Sequence, residues 1–236
     1  MGDIARILNL VKPIAPWDSV TNPEGILLYK LAKKCKQGCI VEIGSWKGRS
    51  TIWLAAGSKK GHKATIYAID PHKGTTTHAQ YMNKEEETFE EFILNISMAE
   101  VKDIVEPLQM TSEKASRGWK PAVGLIFIDG SHEYDAIKLD FLSWSPYLLN
   151  GGIITLHDAV GYDGPHRVAI ENLFKSRRFA HIGMCHKIIY ARKVTRCDLT
   201  QLLWKLILLQ IWRLYAVTYT KVAKIKVGLC QRKDKK

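Results

Sequence analysis

Residues 39–55 read Cys-Ile-Val-Glu-Ile-Gly-Ser-Trp-Lys-Gly-Arg-Ser-Thr-Ile-Trp-Leu-Ala. A short run rich in β-branched residues leads into a turn with two glycines, and apolar residues at helical spacing follow that turn. This pattern predicts a strand, a tight loop and a helix. Gly44 and Gly48 would let the backbone approach a ligand closely, and the helix would offer free N–H groups to polar or anionic atoms. We therefore expect this stretch to cradle a nucleotide.

The spacing of the glycines excludes two common nucleotide-binding loops. A P-loop ends in Gly-Lys-Ser/Thr, whereas Gly48 is followed by Arg49 and Ser50. The Gly-x-Gly-x-x-Gly fingerprint of dinucleotide-binding loops is absent as well. The order from Glu42 onward is Glu-x-Gly-x-x-x-Gly. Taken alone, this order also fits a purely structural turn between a strand and a helix in an α/β domain.

The composition indicates one globular domain with an appendage. The chain has 236 residues, of which 46% are hydrophobic, and this is enough for one sizeable core. Its five cysteines show neither the spacing of metal ligands nor a pairing pattern, and the first residues lack an apolar signal core. We therefore expect a reducing compartment and a cytoplasmic location, either free or at the periphery of a membrane.

The positive charge is concentrated at the C-terminal end. The formal net charge is +12, and residues 192–236 contain twelve Lys and Arg against two Asp and Glu, which leaves only +2 for the rest of the chain. An enzyme that acts on nucleic acid would carry positive charge around its cleft as well. Nucleic acid is therefore an unlikely partner.

The chain divides into three segments. Residues 1–24, with three prolines, predict an irregular arm that packs over the body or over the mouth of the site. Residues 25–193 alternate strand and helix patterns and predict a Rossmann-like α/β domain, with a seven-stranded, mostly parallel sheet and helices on both faces. A hairpin at residues 179–191 would supply the single antiparallel strand. Residues 73–83 are a candidate lid, and residues 194–236 predict a basic, amphipathic helical tail.

Two polar residues stand where a nucleoside would lie. Asp70 ends a second buried strand, at the edge of the sheet where ligands bind in such folds, and a carboxylate there can accept both ribose hydroxyls. Capping of the turn before Pro71 is the alternative. Ser112 follows a third strand at residues 101–110 and would either contact an adenine or cap the next helix.

The fourth and fifth strands also end in polar residues. One apolar run ends at Asp129 and His132, and after a turn at residues 150–152 another ends at His157 and Asp158. Because the carboxyl ends of parallel strands meet at one edge of a sheet, we expect these four side chains to converge beside the nucleoside. For His132, capping of the following helix is the alternative.

Four motifs in this order resemble those of class I S-adenosylmethionine-dependent methyltransferases. They are Val-Glu-Ile-Gly-Ser-Trp-Lys-Gly-Arg-Ser-Thr from residue 41, Ala-Ile-Asp-Pro from 68, Phe-Ile-Asp-Gly-Ser-His-Glu-Tyr-Asp from 127 and Gly-Gly-Ile-Ile-Thr-Leu-His-Asp from 151. The resemblance covers residues 22–193 and is nearest to enzymes similar to catechol O-methyltransferase and to bacterial O-methyltransferases of sugars and natural products. It implies S-adenosylmethionine-dependent methylation of a hydroxyl on a small molecule or glycan.

The resemblance also implies roles for individual residues. It indicates these cofactor contacts: Glu42, Gly44, Ser45, Trp46, Gly48, Ser50, Asp70, Ser112 and Asp129. In metal-dependent relatives, acids matching Asp129 and the pair His157 and Asp158 hold Mg²⁺, although an imidazole favours Mn²⁺, Fe²⁺ or Zn²⁺. His132 stands where the catechol-type enzymes carry the lysine that takes the proton from the attacking hydroxyl. The resemblance thus makes His132, Asp129 and Asp158 the catalytic residues.

Two other functions stay open at this point. A non-catalytic S-adenosylmethionine-binding protein could keep the fold and use the basic tail for interactions, but it would have no use for the polar cluster at one edge of the sheet. An RNA methyltransferase is the second alternative, and the basic tail is its only support.

Residues 199–217 predict an amphipathic helix outside the catalytic domain. At about 100° per residue, seven apolar residues share one broad face: Leu203, Trp204, Ile207, Leu208, Ile211, Leu214 and Tyr215. Gln201, Lys205 and Arg213 fall on the other side, and the two charges interrupt any membrane span. The helix would pair with its twin in a homodimer, or it would lie on an anionic membrane surface. The basic extension favours the membrane surface.

Overall fold

The computed structural model describes residues 2–14, 19–73 and 87–233. The helices are α1 Gly2–Val11, α2 Asn22–Lys33, α3 Arg49–Lys59, α4 Phe89–Met98, α5 Ser112–Ser116, α6 Tyr134–Trp144, α7 Asp163–Ala169 and α8 Leu199–Lys233. The strands are β1 Cys39–Ile43, β2 Ile66–Ile69, β3 Val105–Leu108, β4 Val123–Ile128, β5 Leu148–Leu156, β6 Phe179–Cys185 and β7 Ile188–Lys193. Short 3₁₀ turns, Lys102–Ile104 and Ser145–Tyr147, precede β3 and β5, and a π-helical turn, Ile170–Phe174, extends α7.

The seven strands form one sheet in the order β3-β2-β1-β4-β5-β7-β6. Neighbouring strands from β3 to β5 are parallel, whereas β7 runs antiparallel to both β5 and β6. The prediction of a mostly parallel, Rossmann-like sheet with one antiparallel strand is confirmed. The chain order reverses between β1 and β4, and folds of this kind open a binding crevice at such a point, beyond the carboxyl ends of the strands.

The register brings the ends of four strands to one level. Ile43, the last residue of β1, pairs with Ile69 at the end of β2 and with Ile128 at the end of β4. Ile128 in turn pairs with Leu156 at the end of β5. The polar residues that follow these strand ends must therefore lie along a single edge of the sheet.

Helices cover both faces of the sheet, as expected for parallel strands that are buried on both sides. On one face, α2, α3 and α4 pack through large side chains such as Leu28, Trp53 and Phe92. On the other face, α6, α7 and α8 pack through side chains that include Phe141 and Trp212. The sheet is thus held between two apolar layers, and its edge beyond β1, β2, β4 and β5 remains accessible.

The N-terminal segment differs from the irregular arm that its prolines suggested. Its first part is helix α1, because the apolar residues Ile7 and Val11 lie four residues apart on one face and are both buried against the body. Pro13 stands beyond the end of the helix and does not interrupt it. Of the candidate lid, residues 74–83 lie outside the described residues.

The turn expected at residues 150–152 instead lies inside β5. Gly151 has a φ angle of 86°, and the pairing of β5 with β4 shifts register between Val123 and Leu125. A glycine tolerates this left-handed backbone, so the strand continues through an irregularity and does not end there.

The C-terminal helix α8 extends beyond residues 199–217 and does not stand apart from the domain. It packs against β6 and the π-helical turn, and Trp212 is fully buried there. Lys205 was expected on the solvent side but is only 3% exposed, because its Nζ donates to the carbonyl oxygens of Ser176 and Phe179. Within the described residues, no helix has the length and apolar character needed to cross a membrane.

Candidate functional site

A cavity of about 340 Å³ opens at the carboxyl ends of β1, β2 and β4. Nine of the predicted site residues line it: Gly44, Ser45, Trp46, Ser50, Asp70, Ser112, Asp129, His132 and Asp158. Glu42, Gly48 and His157 lie outside the lining. The cavity thus coincides with the point where the strand order reverses, and it gathers side chains from both halves of the domain.

The two glycines between β1 and α3 shape the protein itself. At Gly44 the φ angle is 85°, and a Cβ would lie 2.1 Å from the carbonyl oxygen of Asp129. At Gly48 the φ angle is 88°, and a Cβ would lie 3.2 Å from the ring of Phe92. Gly44 therefore lets the ends of β1 and β4 meet. At Gly48 the backbone lies close to helix α4, whereas the sequence predicted that it would lie close to a ligand.

Glu42 lies beneath this loop and is fully buried. Its Oε2 accepts the hydroxyl of Thr51 over 2.6 Å, whereas its Oε1 has no hydrogen-bond partner among the described residues. Burial raises the pKa of Glu42 to about 8, and the carboxylates of Asp129 and Asp70 add to the rise. Glu42 is therefore mostly protonated at neutral pH. The Oγ of Ser45 is likewise buried without a partner in the described part of the chain.

Asp70 is held firmly at the end of β2. Its Oδ2 accepts the N–H of Trp46 over 2.8 Å, and its Oδ1 accepts the N–H of His72 over 2.6 Å. It thus caps its own turn, as the alternative interpretation held, and it also fixes the loop after β1. Because each carboxylate oxygen can accept more than one hydrogen bond, Asp70 can still bind hydroxyl groups in the cavity.

Ser112 does not cap α5. Thr111 is the N-cap residue, and its hydroxyl oxygen accepts the N–H of Lys114. The Oγ of Ser112 accepts the indole N–H of Trp144 over 2.8 Å at the cavity wall. The side chain is thus positioned by α6 and faces the cavity.

Asp140 is a cavity residue that the sequence interpretation missed. It lies on α6 four residues after Ala136, which also lines the cavity, so the helical spacing could have indicated it. Burial raises the pKa of Asp140 to about 6, against the opposing effect of a hydrogen bond from Ser112. This wall therefore carries a carboxyl group that is half protonated near pH 6 and mostly ionised at neutral pH.

Asp129, His157 and Asp158 meet where β4 and β5 end. The Nδ1 atom of His157 lies 2.9 Å from Oδ1 of Asp129 and 3.2 Å from Oδ2 of Asp158. Neither contact has hydrogen-bond geometry, so Nδ1 is buried between two oxygens without an aligned acceptor. The other ring nitrogen, Nε2, lies 3.5 Å from Oε2 of Glu24. The predicted cluster has one ligand atom from each of its three residues, and all three atoms lie within 4.8 Å of one another.

Burial and neighbouring charges shift the pKa values of His157, Asp129 and Asp158 in opposite directions. Burial alone would lower the pKa of His157, but the carboxylates of Asp129 and Asp158 raise it well above its ordinary value. Burial raises the pKa of Asp129, and His157 opposes that rise. Burial also acts to raise the pKa of Asp158, yet His157, His132 and Lys187 together hold it far below its usual range. His157 is therefore an imidazolium and Asp158 a carboxylate.

His132 faces the cavity beside Asp158. Its Nε2 lies 2.8 Å from Oδ2 of Asp158, and its ring stacks on Tyr162 at 3.9 Å between centroids. Its Nδ1 is buried and has no hydrogen-bond partner among the described residues. Glu133 is the N-cap residue of α6, so the helix-capping alternative for His132 is wrong. In the neutral ring, a proton on Nε2 that faces the carboxylate leaves Nδ1 as the basic nitrogen.

Lys187 and Glu24 are two further residues of the cluster that the sequence interpretation missed. Lys187, in the turn between β6 and β7, has its Nζ 2.6 Å from Oδ1 of Asp158. Glu24 is fully buried and accepts the N–H groups of Lys187 and Thr21 over 2.8 Å and 2.7 Å. Burial opposes ionisation, but His157 and Thr21 lower the pKa of Glu24 to about 2. The capping box formed by Thr21 and Glu24 is visible in the sequence, whereas the reach of Lys187 is not.

Arg49 connects the N-terminal segment to the site. Its guanidinium donates to the carbonyl oxygens of Val11, Ile14 and Val20. Ser19, Val20 and Arg49 itself line the cavity. The sequence showed Arg49 only as a departure from the P-loop pattern. In the structure its hydrogen bonds fix the N-terminal segment, which borders the mouth of the cavity.

A family model described as a methyltransferase domain matches residues 41–159 of this chain. Among solved structures, the O-methyltransferase TomG from Streptomyces achromogenes, involved in tomaymycin synthesis and in complex with S-adenosylmethionine, is 18% identical, with a TM-score of 0.58 over 82% of this chain and 90% of that chain. An O-methyltransferase from Bacillus cereus in complex with S-adenosylhomocysteine is 20% identical, with a TM-score of 0.57 over 82% and 91%. CalS11, a TDP-rhamnose 3'-O-methyltransferase of calicheamicin biosynthesis, is 14% identical, with a TM-score of 0.51 over 81% and 93%.

At these identities the solved structures show a shared fold. The family model goes further, because it matches just over half of the chain and includes the loop after β1, Asp70 and the cluster from Asp129 to Asp158. This chain therefore belongs to the methyltransferase domain family.

Proposed function

We propose that this protein transfers the methyl group of S-adenosylmethionine to a hydroxyl oxygen of a small molecule or glycan. One observation carries the proposal. The paired side chains of His132 and Asp158, 2.8 Å apart, line the same cavity as the loop after β1 and Asp70. A base held by a carboxylate beside a nucleoside-sized cavity is what a hydroxyl-directed methyl transfer requires.

The cavity offers polar atoms that suit this cofactor. Asp70 has acceptor capacity left for ribose hydroxyls, and the buried Oγ of Ser45 has no partner in the described chain. A buried polar atom without a partner costs about 1–3 kcal/mol, so a ligand that bonds it gains affinity. Ser112 and Asp140 would border the adenine ring of the cofactor. When bound, the cofactor supplies a methyl group that its positive sulfur has already activated.

The protein then has to align the acceptor and remove one proton. Because Nε2 of His132 faces Asp158, the buried Nδ1 is the nitrogen that would take the hydroxyl proton, and the acceptor would have to displace the side chains that cover it. Asp158 would stabilise the imidazolium that forms, because Lys187 and His157 keep this carboxylate ionised. Stacking on Tyr162 fixes the plane of the ring. The step needs no covalent nucleophile.

We also propose that Asp129, His157 and Asp158 would hold a divalent ion, which would act as a Lewis acid towards the acceptor oxygen. Two carboxylates and an imidazole suit Mn²⁺, Fe²⁺ or Zn²⁺ better than Mg²⁺. To bind the ion, His157 would have to release the proton that Asp129 and Asp158 favour on its ring, so that Nδ1 becomes a ligand. The ammonium of Lys187 already lies beside Asp158 and would compete with it. Turnover measured in excess chelator distinguishes the divalent ion from the Lys187 ammonium, because only the ion would be removed.

Two relatives support this class of acceptor. TomG is involved in tomaymycin synthesis, and CalS11 is a TDP-rhamnose 3'-O-methyltransferase. Nucleic acid is a poorer candidate, because the positive charge that would bind a phosphate backbone is concentrated in residues 192–236 and not around the cavity.

A cytoplasmic location fits the cysteine chemistry. Cys35, Cys39, Cys185 and Cys197 are all free thiols in the described chain. Burial raises the pKa of Cys35 and of Cys39 to about 11, so these two thiols resist oxidation. We therefore propose a reducing, cytoplasmic compartment.

Mass spectrometry tests the function directly. The full chain is incubated with S-adenosylmethionine and a panel of nucleotide sugars, sugars and phenols, and the products are searched for the added mass of one methylene group. The expected result is one acceptor class that gains this mass in the wild type and in His62→Ala, a variant of an exposed histidine, but not in His132→Ala. Cofactor binding without any methylated product would favour the non-catalytic alternative. Methylation of RNA alone would favour the RNA enzyme.

A further inference from the structure

Helix α8 presents an apolar face to solvent. Thirteen large hydrophobic side chains are exposed in the described chain, and eight of them belong to this one helix. They are Leu199, Leu203, Trp204, Leu206, Ile207, Ile211, Leu214 and Val217. Scattered exposed apolar side chains are ordinary, whereas a contiguous row along five helical turns marks a surface that binds something.

The opposite side of α8 fixes which face points outward. Trp212 is fully buried and stacks on His166 of α7 at 4.3 Å between ring centroids. About two turns earlier on the same face, the ammonium of Lys205 is buried and donates to the carbonyl oxygens of Ser176 and Phe179. Rotation of the helix would break these contacts. The apolar face is therefore held in solvent by the fold and is not an unpacked side of the core.

The charges around this face have one sign. The helix from Leu199 to Lys233 contains no Asp or Glu, and residues 221–236 contain seven Lys and Arg against one Asp. A second copy of this helix, packed against the first, would bring more positive charge and no Asp or Glu. Anionic lipid head groups would supply it, and their acyl region would receive the apolar side chains.

We propose that α8 docks the protein on an anionic membrane surface, with its axis parallel to the membrane and its exposed apolar face inserted at the boundary between head groups and acyl chains. The described helices offer no membrane span, so the contact is peripheral. Docking depends only on the fold of α8, and it would hold whether or not the site transfers methyl groups.

The docking helix borders the loop after β5, which supports the proposed base. A second cavity of about 360 Å³ lies between α8 and the loop after β5, lined on one side by Ala216 and Val217 and on the other by Gly161 and Tyr162. Tyr162 stacks on His132. The loop that supports the proposed base thus borders the same cavity as the docking helix.

Flotation of the full chain with vesicles tests the proposal. The vesicles contain phosphatidylcholine alone or phosphatidylcholine mixed with phosphatidylserine. We expect binding to the mixed vesicles, weakened by salt, and at least tenfold less binding for Ile207→Glu combined with Leu214→Glu. Replacement of Lys221, Lys224 and Lys226 by Gln should weaken binding to the mixed vesicles about fivefold per lysine.

The matched control is Leu139→Glu combined with Leu142→Glu on α6. Leu142 and Ile207 are each about half exposed, at 52%, so both double variants add two charges at solvent-exposed positions. The control should bind vesicles like the wild type. Equal binding to both kinds of vesicle, or undiminished binding of the α8 variant, would overturn the proposal. Light scattering that shows a dimer in the wild type and a monomer in the α8 variant, without vesicle binding by either, would assign the face to a second copy of this chain.

Discussion

Replacement of Glu42 by Gln should make the protein more stable relative to the wild type as the pH rises. Glu42 is fully buried, and its pKa is raised from 4.5 to about 8, so ionisation is disfavoured in the folded state. The wild type therefore loses stability from Glu42 above pH 4.5 until the loss is complete above about pH 8. The pKa rises by 8 minus 4.5, or 3.5 units. At about 1.36 kcal/mol per unit, the free energy of unfolding that the wild type loses through Glu42 is at most about 5 kcal/mol. Relaxation of the loop reduces this to about 2–4 kcal/mol between pH 5 and pH 9.

Urea unfolding at a series of pH values measures this difference. The matched control is Glu106→Gln, because Glu106 is an exposed glutamate on β3, in the same sheet. The free energy of unfolding of Glu42→Gln minus that of the wild type should rise steadily from pH 5 to pH 8 and then level off. The control should show no such rise. A difference that is flat across this range would mean that Glu42 does not titrate there, and the account of its burial would then be wrong.

Three further results are expected. Asp70→Ala should weaken S-adenosylmethionine binding at least about tenfold in calorimetry, because two charge-assisted hydroxyl contacts are lost; an unchanged affinity would make Asp70 a turn residue only. His132→Ala should lower turnover about 10²- to 10⁴-fold with little change in cofactor affinity, whereas equal loss of both would indicate a structural role. Lys205→Met should lower the melting temperature by about 5 °C, since two buried carbonyl groups lose their donor, while Arg213→Met at an exposed position should not.

The core of the fold could be predicted from local patterns. Strands β1, β2 and β4 are apolar runs that stop at Gly44, Asp70 and Asp129, and each run is followed by helical spacing. Right-handed connections then leave few possible strand orders. The errors fell where two local signals conflicted. Gly151 looked like a turn but forms an irregularity in β5, and the prolines after Val11 hid the helix that ends before them.

The candidate site was only partly predictable, because several of its contacts come from residues far away in the sequence. Asp129, His157 and Asp158 follow strand ends, so the sheet alone brings them together. Glu24 reaches His157 across 133 positions, and Lys187 arrives from the last hairpin. No local pattern records such distant approaches. The sequence could therefore indicate where the polar edge lies but not how its charges are balanced.

The balance of charges at the cluster bears on whether a divalent ion or His132 alone activates the acceptor hydroxyl. The buried charged groups around the cluster are three carboxylates and two cations: Glu24, Asp129 and Asp158 with His157 and Lys187. With Asp129 ionised, one negative charge remains unbalanced. A proton taken up by His132 would neutralise it. A divalent ion held by a neutral His157 would neutralise it as well, because the imidazole loses its proton, and would leave no net charge to favour a proton on His132.

An ion at the cluster and a cluster without an ion therefore predict opposite effects of excess chelator on turnover. If the protein balances its own charges, turnover in excess chelator should equal turnover without it, and His132→Ala should abolish most of it under both conditions. If an ion activates the acceptor oxygen, turnover should disappear in chelator and return with Mn²⁺, and His132→Ala should still lower it because the hydroxyl proton must be removed. Lys187→Met separates them further. Loss of its ammonium should strengthen Mn²⁺ binding at Asp158 in titration calorimetry, because a competing cation 2.6 Å from that carboxylate is gone.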